Sequence, residues 1–404
     1  MKKLILLSII LIVGCDNSTE PEDCAGVAGG IAVEDCFGVC DGLAAIDECG
    51  LCTGGTTNLT PNYLKDECGV CGGDGELDIC GICNGNGESC VGCTDPTACN
   101  FKEEYTISDH NSCTYAYENF NCDKNCLYDS DNDSICDEHE VEVEFVSVPS
   151  GEYTYGEGDT IKVIDYDYVI GKYEVTNSQY LKFLKAQLAM EMIYINHDEV
   201  YDNNDNLWID EVGSFGSHID YSEYTGFSIE EYQGNKENFP VNNVSWYGAK
   251  AFADYYGYRL PTEHEWEKAA RGNSGSDFSW GGNIGDVTHS NANYSDSNDP
   301  FETGGWSSPS TTPVGFYNGQ NYEGFQTTDS PSPYGAYDMS GNVEEWTSTP
   351  YLVDNPEYIA YKLKGGSYQH EVSSSANSTV WCHWECSQME ADHSITRLGF
   401  RVAK

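Results

Sequence analysis

The stretch PVNNVSWYGAKAFADYYGYRLPTEHEWEKAAR, residues 240–271, predicts two consecutive α-helices with well-marked starts. Ser245 can cap the first helix, because its hydroxyl can accept a hydrogen bond from a free backbone N–H of the first turn. Thr262 and Glu265 stand three residues apart and form a capping box for the second helix, which Gly272 then ends. The residues expected on the buried faces are Trp246, Ala249, Phe252, Ala253 and Tyr256 in the first helix, then Trp266, Ala269 and Ala270.

Shorter signals lie on the N-terminal side of these helices. Residues 141–145 alternate apolar and charged side chains as a half-buried strand does, and residues 169–175 form a second short strand. Thr176 and Gln179 predict another capping box, for a helix that buries Tyr180, Phe183 and Leu184. This order of short strands and a helix is typical of an α+β domain.

Irregular structure is expected in two other stretches. Residues 190–238 predict a hairpin insertion, with the turn at residues 202–206, which read Asp-Asn-Asn-Asp-Asn. Asn, Gly, Ser and Pro dominate residues 272–335, so long packed loops on a small sheet are expected there.

Four motifs together resemble the formylglycine-generating enzyme, or sulfatase-modifying-factor, family. They are Arg-Leu-Pro-Thr-Glu at 259–263, Gly-Asn-Val-Glu-Glu-Trp at 341–346, Gly-Gly-Ser at 365–367 and Gly-Phe-Arg at 399–401. The resemblance covers roughly residues 142–404 and is weak in the insertion. It implies a C-type-lectin-like α+β fold with much irregular structure.

The resemblance fails at the residues that carry the family's chemistry. The family binds Cu(I) and the substrate thiol through two cysteines, and oxidises a sulfatase cysteine to formylglycine with O₂. Soft Cu(I) prefers sulfur ligands. The positions of the two cysteines are His370 and Ser375 in this chain, although Ser367 matches a further active-site position.

Cys382 and Cys386 are the nearest replacement for the missing pair. Their spacing is one residue shorter than that of the family cysteines, and they follow a dozen residues later. With His370 or His383 they could form a copper or zinc site. The simpler interpretation is one disulfide that pins a long loop.

The resemblance also implies structural calcium. Carried over by position, Asp338 and Glu345 would supply carboxylates, and Gly341 and Val343 backbone oxygens, which are the hard ligands that Ca²⁺ prefers. Alternatively, Glu345 forms an ion pair inside the fold, for example with Arg259 or Arg401. A second family calcium site would lie near residues 293–294, Asn-Tyr.

The N-terminus resembles that of a bacterial lipoprotein. Two lysines and a short apolar run predict a signal peptide at residues 1–14, and Ile-Val-Gly-Cys at its end places the acylated cysteine at Cys15. Residues 15–22 would form a tether. The chain is therefore expected to be exported and anchored by lipid in the cell envelope, at the outer membrane or cell surface.

Residues 23–140 form a cysteine-rich repeat region, which we expect to be an elongated spacer dominated by loops. The clearest copies start at Asp47, Asp66 and Asp78, and each contains Cys-Gly-x-Cys. Apolar residues are too few for a packed core, so disulfides are expected to hold the region together. The spacing of the four cysteines in the first two copies also matches a zinc ribbon, which is the less favoured alternative in an exported protein.

The end of the repeat region carries Asp129, Asp131, Asp133 and Asp137. Carboxylates at alternate positions of a tight loop can converge on Ca²⁺, so this loop predicts a calcium site. The alternative is a solvated acidic linker. The domain that resembles the family would then occupy residues 141–404.

The net charge of −48 argues against nucleic-acid binding, because the surface repels phosphates. Two functional hypotheses remain. The leading one is a calcium-stabilised binding or assembly module without the oxidase centre, with residues 368–396 as its binding face for a protein or glycan. The alternative is a copper-dependent formylglycine-generating oxidase, or a related oxidase, that uses Cys382 and Cys386.

Overall fold

The computed structural model describes residues 20–117, 119–156, 160–212, 217–229, 235–283, 287–295, 297–302, 310–351, 359–370 and 388–404. The predicted signal peptide, Cys15 and most of the tether lie outside the described residues. The chain divides into two compact units, Met1–Tyr115 and Ala116–Lys404. No helix among the described residues is long and apolar enough to cross a membrane.

Each copy of the repeat in the first unit is organised by the carboxylate of its aspartate. Asp78 accepts hydrogen bonds from the backbone N–H groups of Cys80, Ile82 and Gly87, all at 2.9 Å. The carboxylate thus supplies acceptors that these backbone N–H groups of the loop would otherwise lack. Equivalent aspartates at the start of the other copies are Asp23, Asp35, Asp47 and Asp66.

A glycine seven residues after the aspartate is required by this arrangement. A Cβ atom on Gly85 would lie 2.0 Å from Oδ2 of Asp78, so any larger residue would displace the carboxylate. Gly30, Gly42 and Gly73 stand in the same relation to their aspartates. The spacing of Asp and Gly in the repeat therefore follows from packing.

The disulfides overlap along the first unit. The first cysteine of one copy is bonded to the second cysteine of the next, in Cys24–Cys40, Cys36–Cys52, Cys49–Cys71 and Cys68–Cys83. Cys80–Cys90 and Cys93–Cys113 follow. All four cysteines of the zinc-ribbon spacing are disulfide-bonded, so they offer no thiolates, and the disulfide interpretation is confirmed for this region. Four short strands accompany the loops: β1 (Ala45–Ile46), β2 (Cys52–Thr53), β3 (Val91–Gly92) and β4 (Ile107–Ser108), with a 3-10 turn at His110–Ser112.

Among its described residues, the second unit contains three α-helices and several small sheets, as an α+β fold with much irregular structure requires. The helices are α1 (Asn177–Ala189), α2 (Trp246–Tyr255) and α3 (Glu263–Arg271). The antiparallel pairs are β5 (Phe145–Val148) with β8 (Tyr168–Gly171), β6 (Gly151–Tyr155) with β7 (Thr160–Ile164), β12 (Ile219–Ser222) with β13 (Gly226–Ile229), and β14 (Asn321–Tyr322) with β15 (Phe325–Gln326).

Two larger sheets complete the unit. The first has the order β11-β10-β9 and consists of β9 (Ile193–Asn196), β10 (Glu199–Asp202) and β11 (Leu207–Ile209). The second has the order β18-β17-β16-β19, with β16 (Glu344–Tyr351), β17 (Ala360–Lys364), β18 (Gln388–Glu390) and β19 (Leu398–Gly399). β19 runs parallel to β16, so the Gly-Phe-Arg motif lies beside the start of β16.

The predicted helix starts are confirmed. The hydroxyls of Thr176 and Thr262 each accept a hydrogen bond from the backbone N–H three residues on. Each threonine also donates its own backbone N–H to the side chain of that residue, Gln179 or Glu265, so both capping boxes are complete. Ser245 accepts from the N–H of Gly248 at 3.1 Å. α1 and α2 pack their apolar faces into a core that includes Phe183, Phe252 and Trp346. α3 packs Trp266, Ala269 and Ala270 into a second cluster.

The strand predictions were less accurate. The alternating residues 141–144 precede β5 and are not a strand, because the carbonyls of Glu142 and Glu144 accept from the Gln179 side chain and the Lys172 backbone. The predicted strand at 169–175 is shorter and ends at Gly171. The hairpin turn at 202–206 is confirmed, with Asp202 accepting from two backbone N–H groups within it. The hairpin β12–β13 was not predicted.

Residues 116–140 belong to the second unit and pack against the end of α1. Phe120 and Cys136 form a small apolar cluster with Ala189 at the end of α1, and Lys182 donates to the carbonyl of Glu140 at 2.9 Å. Asn121 accepts from the N–H groups two and four residues on, as the repeat aspartates do. This stretch is thus a further, degenerate copy of the repeat that the sequence pattern did not reveal.

Candidate functional site

The candidate site is built where the loop before β16 meets the loop after β17. The N–H of Gly341 donates to the carbonyl of Gly365 at 2.8 Å, and that of Tyr368 donates to the carbonyl of Asn342 at 2.9 Å. Gly341 has a φ of 91°, and a Cβ atom there would lie 2.2 Å from the carbonyl oxygen of Asn293. The glycine therefore allows three loops to approach one another closely.

Two of the predicted active-site residues, Ser367 and His370, are in direct contact. Nδ1 of His370 accepts a hydrogen bond from the backbone N–H of Ser367 at 3.0 Å and lies 3.2 Å from its hydroxyl. Burial, together with the nearby positive charge of Arg397, lowers the pKa of His370 to about 4. The imidazole is neutral near pH 7, with its proton on Nε2, since Nδ1 is the acceptor.

The other residues predicted for a possible oxidase centre lie in the stretch 371–387. Ser375, Cys382, His383 and Cys386 are outside the described residues, so their geometry is not part of this structure.

Glu344, the first glutamate of the motif at 341–346, has a specific partner. Its Oε2 lies 2.6 Å from Nε of Arg397, and its side chain is 1% exposed. Burial raises the pKa of Glu344, while the Arg397 guanidinium opposes that rise. A buried carboxylate demands a cation, and the local sequence does not indicate which one supplies it.

Glu345 is the centre of a buried ion pair. Its two oxygens lie 2.6 and 2.7 Å from nitrogens of Arg401, and Oε2 also accepts from the indole of Trp266 at 2.7 Å. Both charged side chains are fully buried. Of the two interpretations of Glu345, the structure thus contains the ion pair, and with Arg401 rather than Arg259, which binds Glu265.

Two further buried carboxylates lie within electrostatic reach of the same guanidinium. Burial raises the pKa of Asp338 to about 6, although the Gly315 N–H and Arg401 oppose the rise. The pKa of Glu174 is also raised, by burial first and then by the charges of Asp338 and Glu345. Three buried carboxylates share one Arg401, and the raised pKa values reflect the cost of ionising all three. A bound divalent cation would lower that cost.

The second predicted calcium position offers an unpaired oxygen. The side-chain nitrogen of Asn293 donates to the carbonyl of Ser310 at 2.8 Å and to Oδ1 of Asn342 at 3.1 Å. Its Oδ1 is buried and has no hydrogen-bond partner among the described residues. An amide oxygen in that state is a suitable ligand for a hard cation, so the residues present fit calcium.

The acidic loop of residues 129–137 brings three of its four predicted ligands together. Carboxylate oxygens of Asp129, Asp131 and Asp133 all lie within 4.8 Å of one another. Asp137 instead accepts from the backbone N–H and the hydroxyl of Ser130, both at 2.7 Å.

Comparison with known proteins agrees with these motifs. The chain is 32% identical over 172 residues to the inactive C-alpha-formylglycine-generating enzyme 2 of Bos taurus, covering 42% of this chain and 51% of that protein. It is 32% identical over 181 residues to the formylglycine-generating enzyme of Mus musculus, covering 42% and 45%. The chain thus spans about half the length of these curated relatives.

The crystal structure of CarF is similar over 66% of this chain and 99% of that chain, with 22% identity and a TM-score of 0.43. Residues 133–404 match the sulfatase-modifying factor enzyme 1-like domain, in agreement with the predicted resemblance. The chain belongs to the family of that domain.

Proposed function

We propose that this protein is a lipid-anchored envelope protein whose sulfatase-modifying-factor domain does not use the family's cysteine-pair oxidation and acts as a calcium-stabilised binding or assembly module. The observation that carries the proposal is His370, which occupies the first thiol position and is held there by Ser367.

The bonding of His370 opposes a role as a replacement for the thiolate. Its Nδ1 already accepts from the backbone N–H of Ser367, and its Nε2 carries the proton of the neutral ring, so binding of Cu(I) would cost that hydrogen bond or a proton shift. The second thiol position is Ser375, whose hydroxyl is a poor ligand for a soft metal.

The relatives are compatible with either functional outcome. One is named an inactive C-alpha-formylglycine-generating enzyme and another a formylglycine-generating enzyme, at the same 32% identity. Similarity alone therefore does not assign the activity, and the residues at the thiol positions decide.

The segment 368–396 is the proposed binding face for a protein or glycan. Its two described ends are joined by the side chain of Gln369, which donates to the hydroxyl of Thr396 at 3.0 Å. When both ends of a segment are held by the fold, the sequence between them can vary without loss of the fold, which suits a recognition surface.

Export and anchoring rest on the sequence of the first fifteen residues and on the disulfides. All sixteen cysteines from Cys24 to Cys136 are disulfide-bonded, a state typical of proteins in an oxidising compartment. Radiolabelled palmitate incorporation, abolished by Cys15→Ser and unaffected by Cys382→Ser, tests the anchor. Absence of label in the parent protein would contradict it.

Calcium is proposed to hold the loops through Asn293 and Asp338 and, in the acidic loop, through Asp129, Asp131 and Asp133. A ligand that binds only the folded state raises the melting temperature. We expect calcium to raise it relative to excess EDTA, by less in Asn293→Ala and in Asp131→Asn. Identical melting curves in calcium and EDTA would contradict this role.

Thiol and copper measurements test the absence of the oxidase centre. Under denaturing conditions we expect no free thiol, with Cys382 and Cys386 recovered as one disulfide peptide, and no Cu(I) bound per folded chain. Two free thiols and stoichiometric Cu(I) binding that Cys382→Ser abolishes would support the oxidase alternative instead.

A further inference from the structure

A cleft of about 380 Å³ lies between the end of α1, the hairpin β12–β13 and the last copy of the repeat. It belongs entirely to the second unit. The hairpin lies in the insertion, where the motif resemblance is weak, and residues 117 and 119 precede the part of the chain that matches the family domain. None of the four family motifs lines the cleft. The cleft is therefore a feature of this chain rather than of the family motifs.

Three tyrosines line the cleft, and their hydroxyls are not hydrogen-bonded to any described residue. Tyr224, at the tip of the hairpin, is 96% exposed, and Tyr117 is 47% exposed. Behind them, the rings of Tyr221 and Phe227 lie 4.9 Å apart across the hairpin. An aromatic ring with a free hydroxyl is well suited to stack on a ligand and to bond its polar edge.

Polar groups without partners surround these rings. Glu138, Glu223 and Lys185 line the cleft, and their side chains make no hydrogen bond or ion pair with any described residue. The deeper wall contains His139, which is 6% exposed and whose Nε2 is buried without a partner among the described residues. Most buried nitrogens have a hydrogen-bond partner, so the unpaired Nε2 of His139 can bond a ligand group that enters the cleft, or a water.

The mixture of charges restricts the class of ligand. A strong anion would meet two carboxylates and the net charge of −48, while an organic cation would meet the ammonium of Lys185. A neutral ring with several hydroxyls can donate to the carboxylates, accept from Lys185 and place its C–H face on a tyrosine. The volume is in the range of small-molecule sites, roughly 300–1,000 Å³.

We propose that this cleft binds a neutral saccharide of one or two hexose units, stacked on Tyr224 and hydrogen-bonded to Glu223 and Lys185. This site is separate from the segment 368–396 and does not depend on its role.

The test uses the full chain and three uncharged probes, maltose, cellobiose and N,N′-diacetylchitobiose, in saturation-transfer NMR and calorimetry. We expect at least one probe to bind, and Tyr224→Ala to weaken its affinity about tenfold. Tyr63→Ala is the matched control, because Tyr63 is 49% exposed and lies outside the cleft. This variant should bind as the parent protein does.

A second comparison separates a saccharide from a cation. Lys185→Met should weaken saccharide binding, and choline should not bind either protein. Failure of all three probes to bind, binding unchanged in Tyr224→Ala, or choline binding strengthened by Lys185→Met would each overturn the proposal. Circular dichroism of every variant shows whether a loss of binding is a loss of fold.

Discussion

Single residues determine the charge balance of the candidate site. Glu344 and Glu345 are adjacent at the start of β16, and each is neutralised by an arginine from the C-terminal segment, Arg397 and Arg401. Both pairs close the sheet by joining β16 to the chain around β19. The carboxylates therefore serve the fold, and neither is free to act as an acid or a base.

The pair Glu345–Arg401 is expected to be essential for stability. Arg401→Met leaves a fully buried carboxylate without its cation, which costs about 3–5 kcal/mol of unfolding free energy. The control is Lys250→Met, which breaks the exposed Lys250–Asp254 pair and should cost under about 1 kcal/mol. Urea unfolding measures both, and equal small losses would contradict the assignment.

His370 gives a pH dependence with a definite sign. Its pKa is about 4 in the folded chain against 6.5 normally, so between these values the unfolded state binds the proton that the folded state does not. The contribution of His370 to the free energy of unfolding is fully present above about pH 6.5 and is lost as the pH falls towards about 4. His218, whose pKa burial also lowers to about 4, adds a similar loss.

His370→Asn should therefore reduce the fall in unfolding free energy between neutral and acidic pH, leaving the part due to His218. The exposed His197→Asn is the control and should leave the pH profile unchanged. Direct NMR titration of His370 should give a midpoint near 4. A midpoint at the ordinary value would show that the imidazole is not buried as described.

The position of α2 depends on a close contact at Gly248 that the sequence does not predict. Gly248 lies in the first turn of α2, and a Cβ atom there would be 2.2 Å from the carbonyl oxygen of Trp208 and 2.6 Å from the hydroxyl of Tyr180. The missing side chain lets α2 pack against β11 and α1 together.

Gly248→Ala should thus destabilise the protein, although alanine favours a helix by about 1 kcal/mol over glycine. Overpacking against backbone costs about 1–3 kcal/mol, and here the backbone of β11 would have to shift. Lys250→Ala, at an exposed position of the same helix, should be nearly neutral. A gain in stability for Gly248→Ala in urea unfolding would contradict this packing.

The overlapping disulfides make each repeat depend on its neighbour. Replacing Cys36 and Cys52 together by alanine opens a bridge with a sequence separation of 16, which costs about 2–4 kcal/mol locally. Because the Asp and Gly positions stay intact, the bridges Cys24–Cys40 and Cys49–Cys71 should form as before. Peptide mapping without reduction checks this, and shuffled pairs would show that the cysteines alone determine the connectivity.

Across the whole molecule, local signals were predictable and distant partners were not. The three helices followed from Thr176, Ser245 and Thr262, because a cap is decided within four residues. The pairing of Glu344 with Arg397 joins positions 53 residues apart, and no local pattern contains it. The strand expected at 141–145 failed because its backbone is bonded to groups around α1 and β8, a tertiary effect that overrides alternation.

The candidate site shows the same division. Ser367 and His370 could be placed together from the family motif, since they are three residues apart. The unpaired oxygen of Asn293 and the buried Glu174 could not, because Asn293, Ser310, Asn342 and Glu174 come from separate parts of the chain and meet only in the fold. The aromatic cleft was also not predictable, since residues 117–139, 185–189 and 221–227 line it together.

The most direct measurement is incubation of the full chain with Cu(I), O₂ and a Cys-x-Pro-x-Arg peptide, followed by mass spectrometry of the peptide. With His370 and Ser375 at the thiol positions, we expect the cysteine to remain unconverted, in the parent protein and in Cys382→Ser alike. Formation of formylglycine by the parent protein and its loss in Cys382→Ser would contradict the proposal and establish an oxidase with a relocated thiol pair.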